Sequence, residues 1–155
     1  MADVMDVAGV RRILDAVTDP EIPVLTIHDI GILRDVAIDD GTVIVTITPT
    51  YSGCPAMDAI RDDITAALNG AGIPDVEIRT VLAPAWTTEW MSADGRRKLE
   101  EYGIAPPRLD ESATIRCPRC RSEELHVVSR FGSTACKALL VCDSCGEPFD
   151  HFKEL

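Results

Sequence analysis

Apolar residues recur at helical spacing near the start of the chain, where Val7, Val10, Ile13, Leu14 and Val17 form one stripe. The spacing predicts an amphipathic helix from Val7 to Val17. Asp19-Pro20-Glu21-Ile22-Pro23 stops it, because each proline pushes the residue before it out of helical geometry. The period then shortens to two. Arg34 to Ile38 and Thr42 to Thr48 read as strands around Asp39-Asp40-Gly41, a hairpin signal, with Val43, Val45 and Ile47 on one face. Helical spacing returns after the loop from Pro49 to Cys54. Met57, Ile60, Ile64, Ala67 and Leu68 form a stripe, Asp58, Arg61, Asp62 and Asp63 the opposite face, and Asn69-Gly70 the end. Val76 to Leu82 reads as a third strand, and Ala93 to Tyr102 as a helix with Gly103 suited to its C-cap. This order predicts an α+β domain, a small mixed sheet with helices packed on one face. Pro106-Pro107 begins a stiff polar connection to Glu111, so the first domain is placed at residues 1–108 and a second at 109–155.

The second segment is organised by cysteine. Cys117-Pro118-Arg119-Cys120 and Cys142-Asp143-Ser144-Cys145 are two CxxC pairs separated by 21 residues. Two residues between thiolates let both sulfurs of a turn face one ion, and two such turns complete a tetrahedron. Leu125 to Phe131 and Ala138 to Val141 have the short-strand character of a zinc ribbon. About forty residues build little core alone, so one structural zinc would supply most of the folding energy. An iron–sulfur cluster on the same thiolates and a redox pair stay open, although a redox CxxC usually accompanies a βαβ pattern, which the periodicity does not show. Cys136 reads as a small buried residue or a spare, reactive thiol beside Lys137. His126 and His151 read as ordinary polar residues.

Composition narrows the functional classes. The 155 residues carry a net charge of −11, and residues 1–108 hold 9 basic against 18 acidic side chains. That balance repels nucleic acid, whose binding rests on phosphate neutralisation by Lys and Arg. The opening Met1-Ala2-Asp3-Val4-Met5-Asp6 is acidic, without the basic and apolar regions of a secretory signal, and the longest apolar runs are too short to span a bilayer. The expectation is a cytoplasmic protein with no membrane or nucleic-acid partner. Reduced cysteines then favour metal or thiolate chemistry over disulfides.

Cys54 stands apart from the other five cysteines, in Ser52-Gly53-Cys54-Pro55 where a loop enters a helix. A thiol there feels the positive end of the helix dipole, which is expected to lower its pKa and make it a candidate reactive or metal-binding group. Taken alone, a lone cysteine is more often a small buried hydrophobe. Asp19 and Glu21 could add oxygen ligands, or merely cap and solubilise a turn. Trp86 and Trp90 read as core, or as a protein-docking patch if exposed together.

Asp19-Pro20-Glu21-Ile22-Pro23, Asp29-Ile30-Gly31-Ile32-Leu33 and Thr48-Pro49-Thr50-Tyr51-Ser52-Gly53-Cys54-Pro55 resemble the signature of the metal–sulfur cluster assembly domain family. Further strings are similar to the D-subunit (PaaD or PaaJ) family of bacterial 1,2-phenylacetyl-CoA epoxidase. These are Ala83-Pro84-Ala85-Trp86-Thr87-Thr88-Glu89-Trp90-Met91, Tyr102-Gly103-Ile104-Ala105-Pro106-Pro107 and Phe131-Gly132-Ser133-Thr134-Ala135-Cys136-Lys137. The resemblance implies an accessory maturation factor in aerobic phenylacetate degradation. It also implies a functional site at the Asp-Pro-Glu loop and Cys54, handling transient iron or an iron–sulfur cluster. Its partners would be the di-iron epoxidase subunits or their flavin- and cluster-carrying reductase. The residues agree that the chain is not the enzyme: it has no helical Glu-x-x-His pair for a di-iron site and no phosphate-cradling glycine loop. The alternatives are a stable structural subunit with only its zinc, and an enzyme using Cys54 as nucleophile with His28, the one histidine of that domain, as base. A homodimer stays open.

Overall fold

The computed structural model describes residues 6–51, 54–108, 113–132 and 134–154. Ser52-Gly53, the Leu109 to Ser112 stretch of the expected linker, and Ser133 lie outside the described residues. The chain forms two compact units, Met1–Trp86 and Thr87–Leu155.

In the first unit, α1 (Val7–Leu14) starts at Asp6, whose carboxylate accepts the Gly9 N–H at 2.6 Å. The helix is shorter than its stripe predicts, and Val17 is buried beyond its end. The chain then closes on itself. Thr18 bridges Thr26, the Asp19 N–H donates to the Leu25 carbonyl at 2.9 Å, and Ile22 and Leu25 plug the loop from inside. A short helix, α2 (Ile27–Ile30), follows. Its capping box joins Thr26 and Asp29, a signature carried by Thr26-Ile27-His28-Asp29 that apolar periodicity does not reveal.

β1 (Leu33–Asp39) and β2 (Thr42–Ile47) form the expected hairpin, with Asp40 and Gly41 at φ 48° and 81°, which the tight turn requires. β2 also pairs in parallel with β3 (Val76–Thr80), giving a three-stranded sheet in the order β1-β2-β3. The parallel strands are joined through α3 (Ala56–Gly70), so the unit contains a βαβ crossover. This corrects the expectation that no βαβ pattern exists; periodicity identifies a strand but not the direction in which it pairs. Cross-strand rows Ile38–Val43–Val76 and Val36–Val45–Ile78 share one face. α1 packs on α3 and β1, and α3 on β3. Ile60, Ile64 and Leu68 of α3 are fully buried, each contributing about 1.5–3 kcal/mol of hydrophobic stabilisation.

The second unit begins with a 3₁₀ turn at Thr88–Trp90 and α4 (Ala93–Tyr102), which runs between a Ser92 N-cap and left-handed Gly103. Its sheet has the order β4-β7-β6-β5, built from β4 (Ile104–Ala105), β5 (Leu125–Ser129), β6 (Lys137–Cys142) and β7 (Pro148–Phe152). Ile104 and Ala105 pair in parallel with Asp150 and His151, and α4 packs on β4, so these elements belong to the compact unit Thr87–Leu155. Buried His151 fastens this junction: its Nδ1–H donates to the Ala105 carbonyl at 3.1 Å, and Nε2 lies 2.9 Å from Glu154 Oε2. Leu140 and Phe149 pack with Ala105, Ala138, Cys117 and Cys142 in one buried cluster of this unit, which also buries Met91, Leu99, Ile104 and Phe152. Among the described residues no helix is long and apolar enough to cross a membrane.

Candidate functional site

Two turns of the same design bring the four CxxC sulfurs together. In the first, the Cys117 N–H donates to the Ser122 carbonyl and the Arg121 N–H to the Cys117 carbonyl, both at 2.9 Å. In the second, the Cys142 N–H donates to the Glu147 carbonyl and the Gly146 N–H to the Cys142 carbonyl, again at 2.9 Å. The residue after each second cysteine is left-handed, with Arg121 at φ 68° and Gly146 at φ 78°. Cys117 Sγ lies 3.8 Å from Cys145 Sγ, Cys120 Sγ lies 3.5 Å from Cys142 Sγ, and all four sulfurs fall within 4.8 Å of one another. Sulfurs at ~2.3 Å from a tetrahedral zinc would stand about 3.8 Å apart, so the donor set fits that ion.

The thiols also show why a cation is needed. The Cys145 N–H draws the Cys142 thiol down to about 7. Cys120 moves the other way: the Ser122 N–H lowers it, but the neighbouring sulfurs help push it up to about 12. Four thiolates crowd one site only around a positive charge. Cys136 is outside this group. It is buried, with Sγ 3.0 Å from Thr134 Oγ1. His126 is also outside it, with Nδ1 2.6 Å from Asp143 Oδ1.

The second site lies in the first unit, at the carboxyl ends of the parallel strands. Cys54 is half-buried just before α3, and the Ala56 N–H donates to its sulfur. Burial pushes this thiol above the usual value, the Ala56 N–H pulls it down, and the charge of Glu21 pushes it up again. Hydrogen bonds from Thr50 and Tyr51 lower it, yet the net direction is upward. The expected lowering is thereby corrected. The helix terminus does act on the thiol, but desolvation together with a carboxylate from the Asp-Pro-Glu loop outweighs it.

Glu21 is thus close enough for its charge to act on Cys54. Asp19 acts on the backbone. Its Oδ1 accepts the N–H groups of Glu21 at 2.7 Å and Ile22 at 3.2 Å, fixing the loop that carries Glu21. His28 is exposed on α2. Trp86 is core, its Nε1–H donating to the Ile30 carbonyl at 2.9 Å, and Trp90 is half-buried, so the two do not form an exposed patch. Thr50 and Tyr51 contribute without having been singled out by their chemistry. They lie within the string that carries the family resemblance but read as plain loop.

Comparison with known proteins follows the same division. The family described as iron–sulfur cluster assembly protein matches residues 8–82, and the PaaD zinc beta ribbon domain matches residues 105–153. An Escherichia coli protein provisionally named as the D subunit of 1,2-phenylacetyl-CoA epoxidase is 48% identical, over 91% of this chain and 88% of its own length. The chain belongs to the PaaD family. A Porphyromonas gingivalis relative named Fe-S protein maturation auxiliary factor is 37% identical to this PaaD-family chain, over 57% of it and 85% of the relative. The crystal structure of the domain of unknown function DUF59 from Bacillus anthracis shares the fold of the first part. Its TM-score is 0.56 at 30% identity, covering 60% of this chain and 90% of that one.

Proposed function

We propose that this PaaD-family chain is a non-catalytic accessory protein that handles iron or an iron–sulfur centre for a phenylacetyl-CoA epoxidase or its reductase. The observation that carries the reading is the Cys54 thiol at the head of α3 with the Glu21 carboxylate acting on it. A thiol whose charge state responds to a carboxylate of the Asp-Pro-Glu loop offers iron a soft and a hard donor from neighbouring segments. Cys54 and Glu21 hold the cargo, and Asp19 shapes the loop. Cys117, Cys120, Cys142 and Cys145 hold one structural zinc, which supplies folding energy to the second unit and takes no part in cargo transfer. The relatives named for Fe–S maturation and for a part of the epoxidase support this reading.

The test is to express the epoxidase system with Cys54→Ser and measure client iron and turnover. The expected result is an under-metallated client with correspondingly low activity. Full iron occupancy and wild-type turnover would remove the role of Cys54. If the variant is also recovered in a fixed ratio with active epoxidase, the protein is a structural subunit instead.

A further inference from the structure

β5 is the last strand of its sheet, and it carries apolar side chains that the fold leaves uncovered. Val127, Val128 and, just beyond the strand, Phe131 are 60%, 55% and 66% exposed. The register accounts for the valines. Val127 pairs with Leu140 and Ser129 with Leu139, so Val128 is an extra residue, and such a bulge re-aims the side chains around it. Phe131 is exposed but held. The Ser129 hydroxyl donates to its carbonyl at 2.8 Å, and the Phe131 N–H donates to that same hydroxyl at 3.2 Å. The next residue is tied down as well, with the Gly132 N–H 2.7 Å from the Lys137 carbonyl, and Lys153 Nζ stands 4.4 Å from the ring centroid. A ring fixed in this way loses little freedom when a partner covers it, which suits an interface anchor.

The charges beside Phe131 indicate what that partner is. Elsewhere in this unit cations face carboxylates, as Arg108 faces Glu154 and Arg119 faces Glu147. Asp150, against which Gly132 packs, is paired with buried Lys137 at 3.9 Å. Among the described residues no carboxylate pairs with Arg130 or Lys153, and Lys153 Nζ donates to the Arg130 carbonyl at 3.0 Å. Two cations without counter-charges therefore flank an apolar run, in a chain whose net charge is −11. A two-fold contact between copies through Phe131 would set these cations against their own images, so the surface suits a different protein. We propose that the edge from Val127 to Phe131 docks a short acidic and apolar segment of a partner protein. Phe131 and the two valines take its apolar side chains, and Arg130 and Lys153 take its carboxylates.

The test immobilises full-length, zinc-loaded protein and selects phage-displayed random dodecapeptides on it. The selected peptides should combine Asp or Glu with aliphatic or aromatic residues. Synthetic copies should bind Phe131→Ser about thirtyfold more weakly than wild type, the loss of one central aromatic contact. Selection repeated on Arg130→Glu should replace the acidic residues by Lys or Arg. A measurement on the wild type alone guards against variants that fold badly: adding the peptide should shift the amide resonances of Val127, Val128, Arg130 and Phe131. Selected peptides without acidic residues, equal binding to wild type and Phe131→Ser, or shifts confined to other elements would overturn the proposal. So would dimerisation of the wild type that Phe131→Ser abolishes, which would give the surface to a second copy.

Discussion

Two thiol environments in one chain show how much a single side chain's chemistry depends on its neighbours. The Cys54 thiol lies above its usual range, so its thiolate appears later than that of a free cysteine as pH rises. Alkylation of Cys54 by iodoacetamide, mapped by mass spectrometry, should therefore be slow at neutral pH and still climbing where a free cysteine has levelled off. Glu21→Gln removes one of the two upward influences and should shift the whole profile to lower pH; an unmoved profile would show that Glu21 does not act on the thiol. The linkage has the same sign. A pKa raised by folding contributes stability below the unfolded value and loses it as pH climbs through the folded one. The convergence of the four CxxC sulfurs is legible in the sequence because their spacing carries the geometry. The direction for Cys54 was not, because burial and the approach of Glu21 are set by the closed loop between Val17 and Ile27.

Elements built from local pattern are legible in the chain, and those built from distant pairing are not. α3 and the β1–β2 hairpin announce themselves through period and turn residues. β7 does not, because its Asp150 and His151 are polar yet face Lys137 and Glu154, with His151 and Lys137 buried. β4 is two residues long and exists only by pairing with β7. Glycine separates two causes of constraint in these elements. Gly146 is left-handed with open space around a would-be Cβ, so Gly146→Ala should cost about 1–2 kcal/mol from backbone conformation alone. Gly132 has no such φ, but a Cβ there would stand 2.6 Å from Asp150 Oδ1, beside the 2.7 Å bond from the Gly132 N–H to the Lys137 carbonyl. Gly132→Ala should cost about 1–3 kcal/mol by overpacking. Replacing Asp150 with Ala should relieve that second penalty and leave the first, as chemical denaturation of the three single and two double variants would show.

At the scale of the molecule, the two units draw on different sources of stability. The first has a layered core of β-branched and leucine side chains; the second buries Leu99, Leu140, Phe149 and Phe152 and adds a cluster of four thiols. Structural zinc in small cysteine sites contributes an apparent ~10–16 kcal/mol, as much as a modest apolar core. A strong chelator should therefore abolish amide-exchange protection in β5, β6 and β7 while leaving β1, β2 and α3 protected. Retained protection in the ribbon would exclude a metal-dependent fold. The topology of the first unit also sets a timetable. β1 and β2 join through a two-residue turn, but Val43 meets Val76 only after all of α3 has been laid down between them. Leu82, Ala85 and Trp86, which face the 48–51 turn across a hollow of about 140 Å³, lie beyond β3 again, so that hollow has one wall until the parallel pair closes. A nascent chain on the ribosome thus carries Cys54 long before the strands and walls around its loop are complete.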